Sequence, residues 1–87
     1  MDTIKLLINE NKTDEAIRLL TEYIEKYPES DEAYFLLGNT YRKLGEIRLA
    51  LNNYLKAIEL NPDSPAKTAY DAQIRILDFY NKDMYNH

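Results

Sequence analysis

The sequence predicts an all-α protein made of antiparallel helix hairpins stacked side by side, and three observations carry that expectation. Only two of its 87 residues are glycine and three are proline, so few places interrupt the chain. Between the interruptions apolar residues recur at spacings of three and four, the period of a helix rather than of a strand. The chain also repeats itself. Ala16 and Ala50, Leu20 and Tyr54, Ile24 and Ile58, and Pro28 and Pro62 each stand 34 positions apart, the length of one helix-turn-helix unit.

Breakers at Asn11, Pro28, Gly45, Pro62 and Pro65 leave room for five helices. The first, residues 2–9, carries Ile4, Leu7 and Ile8, and Asn11 ends it by accepting a left-handed conformation. The second, residues 13–26, has Thr13 as a candidate cap, Asp14 and Glu15 at its positive end, and a stripe of Ala16, Leu20, Tyr23, Ile24 and Tyr27. Pro28 stops it. A third helix, capped by Ser30 or Asp31, carries Tyr34, Leu37, Tyr41 and Leu44 up to Gly45, which turns left-handed at no steric cost. The fourth starts near Glu46 with Ile47, Ala50, Leu51, Tyr54, Ala57 and Ile58, and Asn61 before Pro62 is biased out of it. Ser64 caps the fifth, Pro65 takes its first position, where a missing N–H costs nothing, and the helix continues to residue 80. Residues 81–87 read as a tail. Short connections make successive helices antiparallel neighbours.

The run Tyr34-x2-Leu37-Gly38-x2-Tyr41, then Ala50-x3-Tyr54, Ala57 and Pro62, resembles the tetratricopeptide repeat at its own spacing. Tyrosine stands where that family usually has tryptophan and phenylalanine. The positions have physical reasons: small Gly38 and Ala50 let two helix backbones approach, large residues fill the gaps, and Pro62 ends the unit. The copy nearer the N-terminus keeps Ala16, Leu20 and Pro28 but has lost the start of its leading helix, with Leu7 in the tyrosine place. After the full copy, Thr68, Asp71 and Arg75 replace Tyr34, Leu37 and Tyr41. The resemblance therefore implies one domain over residues 1–80, as a short right-handed superhelix: a truncated first repeat at 1–30, a full second repeat at 31–64 and a capping helix at 65–80. That helix has one narrow polar stripe, Lys67, Asp71, Arg75, Asp78 and Lys82. Nearly everything else on it is apolar, wider than a half-solvated helix needs.

Composition narrows the function. A net charge of −4 lacks the cationic surplus that phosphate binding draws on, which argues against nucleic acid. No cysteine is present for a thiolate nucleophile or thiolate metal site. No apolar run approaches a membrane span, and Met1 leads into Asp2, Thr3 and Ile4 rather than a signal core, so the cytoplasm is the expected location. No phosphate loop, histidine pair or nucleophile–base pair occurs, and the one histidine, His87, falls in the tail. Asp14, Glu15, Glu22 and Glu25 lie among Arg18 and Lys26 at helical spacing, as paired charges on a solvated face do. Neither an enzyme nor a cofactor or metal site is expected.

What remains is recognition. In the family that the repeat resembles, the leading helix of each pair lines a concave face that binds a peptide or a partner's helix. Position by position, this nominates Glu32, Phe35, Asn39, Arg42 and Lys43 on the third helix. On the first it nominates Lys5, Ile8 and Asn9, and on the fifth Ala69, Gln73 and Ile76. Lys5, Arg42 and Lys43 oppose Glu32 alone, so a mildly basic inner face is expected on an acidic chain. Its ligand would bring an apolar anchor to Phe35 and acidic or amide groups to Arg42 and Lys43. The family's two-carboxylate clamp for chaperone C-termini is not expected, because Leu36, Ala66 and Tyr70 stand where it wants asparagine, lysine and arginine. A competing expectation is a homodimer through the apolar flanks of the fifth helix, at Tyr70, Ile74 or Phe79. Met84 and Tyr85 in the tail could also dock back on the stack.

Overall fold

A computed structural model describes residues 1–80, leaving aside the side chain of Tyr80. The expectations for Lys82, Met84, Tyr85, His87 and the rest of the 81–87 tail lie outside those residues. The helices are α1 (Asp2–Asn9), α2 (Thr13–Lys26), α3 (Asp31–Lys43), α4 (Ile47–Leu60) and α5 (Ala66–Tyr80), with no strand among the described residues.

The two joints within hairpins are built alike. Asn11 takes φ +63° and Gly45 φ +78°, the left-handed conformation that both residue types tolerate. At each joint the same pair of bonds closes the helix end. Asn11 N–H donates to the Ile8 carbonyl (3.0 Å) and Lys12 N–H to Leu7 (2.8 Å), while Gly45 N–H donates to Arg42 (3.0 Å) and Glu46 N–H to Tyr41 (2.9 Å). This turn makes Lys12 the N-cap of α2 and Glu46 that of α4, neither with a side-chain cap bond. Thr13 is therefore the first helical residue and not the expected cap. The joints between hairpins use serine. Ser30 Oγ accepts from Ala33 N–H (3.2 Å) and Ser64 Oγ from Ala66 N–H (3.1 Å), so each orients the next helix. Asn61 Nδ2 donates to Asp31 Oδ2 (3.1 Å), tying the end of α4 to the start of α3.

Two apolar clusters hold the stack. Ile4 and Ile8 of α1, Ala16 and Leu20 of α2, and Ala33, Leu36 and Leu37 of α3 form the first. Ala50, Tyr54 and Ala57 of α4 and Ala66 of α5 form the second, with Tyr34, Ala69 and Tyr70 against them. Phe35 and Tyr41 pack on both. The repeat positions Ala16, Leu20, Ala50, Tyr54 and Ala57 are all fully buried, as their spacing predicts. Gly38 corrects one detail, because what comes closest to it is the Tyr54 ring and not a neighbouring backbone: a Cβ added there would overlap that ring. The apolar stripes also end sooner than expected. Tyr27, 55% exposed, stacks on Tyr23 with ring centroids 4.7 Å apart, and Leu44 is 45% exposed. Both belong to the last turn or cap of their helices, past the packed stretch.

On α5 the buried side is Ala66 and Gln73, with Ala69, Tyr70, Ala72 and Leu77 half-buried. Thr68, Asp71 and Arg75, which replace Tyr34, Leu37 and Tyr41 of the full repeat, are exposed. The positions of α5 that would pack on a trailing helix are thus polar, while Ile74, Ile76 and Phe79 elsewhere on the helix are exposed.

Candidate functional site

Several nominated residues come together where the leading helices adjoin: Lys5, Glu32 and Lys43 between α1 and α3, and Arg42, Ala69, Gln73 and Ile76 between α3 and α5. Lys5 Nζ of α1 sits 3.7 Å from Glu32 Oε1 of α3, with both side chains half-exposed. Lys43 Nζ of α3 reaches across to α1 and donates to the Ile8 carbonyl at 2.9 Å. That carbonyl belongs to the negative end of α1, where a cation is favoured. On the other side Arg42 borders α5, lining a depression of about 210 Å³ together with Ala69, Ala72, Gln73 and Ile76.

Charge on this face differs from a simple count of residues. Lys5 and Glu32 offset one another, a solvent-exposed pair worth less than about 1 kcal/mol in stability. Arg42 and Lys43 are exposed and their bonds go to neutral oxygens, so both positive charges remain uncompensated by those contacts. Arg42 Nε donates to the Tyr54 hydroxyl at 3.3 Å, and that hydroxyl donates to Asn39 Oδ1 at 2.6 Å. The fully buried Tyr54 therefore spans the second hairpin with its ring under Gly38 and its polar tip at the inner face. Its use of both hydroxyl functions satisfies a group that burial would otherwise penalise.

Sequence reasoning assigned Tyr54 to packing and missed this tether. The signal was present only as three residue types on two helices, since Asn39, Arg42 and Tyr54 are joined by no local spacing rule. Two nominated residues are less available than expected. Phe35 is half-buried in both cores with its ring centroid 6.2 Å from that of Tyr54, and Asn39 is bonded to the hydroxyl. Asn9 and Ile76 are exposed, while Ile8 is in the core and Gln73 is 7% exposed. Leu36 and Ala66 are buried, so two of the three positions a two-carboxylate clamp would need face the interior. Among the described residues no group of three or more histidine, cysteine, aspartate or glutamate side chains could hold a metal ion, and no helix is long and apolar enough to cross a membrane.

Helix pairs of 34 residues, fused by a serine-capped joint and displaying side chains along their leading helices, define a helical-repeat protein. Models of the tetratricopeptide repeat match residues 31–64 and residues 4–30. The solution NMR structure of Bacteroides fragilis protein BF1650 is similar throughout: 56% identity over 98% of this chain and 87% of that chain, with a TM-score of 0.88. No curated protein matches the chain. The chain belongs to the tetratricopeptide repeat family, as a small all-α member, and such repeats generally mediate protein–protein interaction rather than catalysis.

Proposed function

We propose that this protein is a non-enzymatic cytoplasmic adaptor that binds a peptide or a partner's helix on the face formed by α1, α3 and α5. The observation that supports this reading is the state of Arg42 and Lys43. Both are anchored through neutral oxygens, which fixes their direction without cancelling their charge. On a chain of net charge −4, such a pair steers an acidic segment to one place. Phe35 offers the apolar edge beside it, Lys5, Asn9 and Glu32 extend the contact along α1 and α3, and Asn39 and Gln73 supply amide groups. The test is capture from native lysate by the intact protein and by a variant carrying Arg42→Glu and Lys43→Glu. Capture should fall about tenfold or more, the loss expected when two charge-assisted bonds become repulsive. Unchanged capture of every partner defeats the proposal.

A second reading, self-association, is favoured by one observation. Between α4 and α5 the side chains of Ile47, Leu51, Leu55, Tyr70 and Leu77, with Arg48 and Asn52, line a depression of about 420 Å³, and Leu55 is 46% and Ile74 39% exposed. Sedimentation decides it: a protein that remains monomeric at millimolar concentration is not a homodimer through that strip.

A further inference from the structure

The depression beside Arg42 is explained by comparing α5 with α3 position by position. Ala69 stands 34 residues after Phe35, Ala72 after Gly38, Gln73 after Asn39 and Ile76 after Arg42. A methyl group on α5 thus replaces the ring that fills the equivalent place on α3, and a hollow of about 210 Å³ opens there. The second difference concerns the amide. Asn39 is satisfied by the hydroxyl of Tyr54 from its trailing helix, whereas α5 has no trailing helix among the described residues. Gln73 is more than nine-tenths buried, yet among the described residues its amide has no hydrogen-bond partner. Among the described residues no side-chain nitrogen or oxygen is both sealed from solvent and unbonded, so the Gln73 amide keeps a solvent-accessible edge, and the hollow it lines supplies one. A mostly buried amide whose accessible edge faces a hollow is a ready partner for a ligand there.

The third feature is Arg42 itself. Its Nε is occupied by Tyr54, which holds the guanidinium at the rim, and among the described residues nothing bonds its two terminal nitrogens. The hollow therefore has a fixed cation at one edge, an unpaired amide within it, and only the methyl groups of Ala69, Ala72 and Ile76 elsewhere.

We propose that this hollow is a carboxylate subsite, taking the end of a short aliphatic stem, with Arg42 and the Gln73 amide donating to the two carboxylate oxygens. The stem would be an aspartate or glutamate side chain or the C-terminal residue of a polypeptide. A cation there would be repelled by Arg42. The assignment rests on the peptide-binding reading above and adds to it the chemical group recognised and its position.

The probes are N-acetylvaline, which carries a terminal carboxylate, N-acetylglutamic acid α-amide, which carries a side-chain one, and N-acetylvalinamide, which carries none. Each is titrated into the intact isotope-labelled protein. At least one carboxylate probe should move the Gln73 side-chain amide and the Arg42 Nε–H resonances to saturation, and the arm that binds more tightly identifies the source. N-acetylvalinamide should move neither. Gln73→Leu should weaken the bound probe about tenfold, and Ala69→Phe, which supplies the ring that α3 has at this place, should abolish binding. Both variants must keep the native pattern of amide resonances elsewhere, and either alone suffices. Equal shifts from all three probes, or carboxylate binding that persists in Ala69→Phe, overturns the assignment. If charge reversal at Arg42 and Lys43 abolishes capture but neither carboxylate moves Gln73, the recognition face stands and the subsite falls. If the carboxylates bind and capture is indifferent to charge reversal, the subsite stands and the wider face falls.

Discussion

In the first hairpin Ile4 of α1 shares a core with Leu20 of α2, while at the matching places of the second, 34 residues on, Gly38 lies against the ring of Tyr54. Both hairpins close with the same left-handed joint and end before the same kind of serine cap. Their backbones agree and their volumes are exchanged. Where the leading helix gives up its side chain entirely, the trailing helix supplies the largest fully buried one among the described residues. The exchange also has a chemical effect. Leu20 ends in methyl groups, but Tyr54 carries a hydroxyl through the hairpin to Asn39 and Arg42. In the first hairpin the places of those two residues are held by Lys5 and Ile8, and Ile8 is buried. One hairpin is thus tied by apolar packing alone, and the other uses part of its core to hold a surface cation.

The severest way to break this comparison is to remove residues 65–87. The second hairpin would lose α5 and expose Ala57 and Tyr54, whereas the first keeps α3 as its cover. The fragment should aggregate or melt without a cooperative transition, because so short a stack has no spare core. A soluble fragment of residues 1–64 with a sharp calorimetric transition would show that α5 is not needed as a cap.

Next in size is the volume exchange itself. Gly38→Ile should destabilise the protein by about 3 kcal/mol, since the new side chain collides with a ring that has nowhere to move. Adding Tyr54→Leu gives the second hairpin the pair that the first already has. It should recover at least half of the loss in urea denaturation, although Tyr54→Leu alone is destabilising. Costs that simply add would mean that the two residues do not compensate each other.

The smallest effect isolates the hydroxyl. Tyr54→Phe keeps the ring under Gly38 and should cost about 1 kcal/mol for the lost hydrogen bonds. Its clearer readout is local: the Arg42 Nε–H should exchange faster with solvent and its side chain should sample more rotamers by relaxation measurements. An Arg42 side chain that is equally rigid in Tyr54→Phe would show that the tether does not position it.

Much of this architecture was legible in the sequence. Asn11, Gly45, Ser30, Ser64 and the prolines mark helix ends by local conformational preference, which needs no knowledge of the remaining fold. The repeat spacing picked out Ala16, Leu20, Ala50, Tyr54 and Ala57 as core because packing is what the period encodes. Other features depend on which neighbours arrive. Thr13 looks like a cap until the joint at Asn11 makes Lys12 the N-cap. Tyr27 and Leu44 look like core until the stripe runs past the last helix that could cover it. The bond from Lys43 to the Ile8 carbonyl crosses 35 residues, and Gln73 lacks a hydroxyl partner like that of Asn39 because no trailing helix backs α5 among the described residues. Position along a helix told where these side chains point, and tertiary contact decided whether each was available.

Phe35 and Tyr41 each pack into both apolar clusters, so neither hairpin has an interior of its own. A disturbance that loosens one end must pull these rings away from the other, and partial opening of either hairpin gains little freedom before the whole stack is committed. Hydrogen exchange from the central amides of α2 and α4 should accordingly proceed through one shared global event, with the slowest protons of both helices reporting a common free energy. A segment bound across α3 would press on those rings and steady both halves at once.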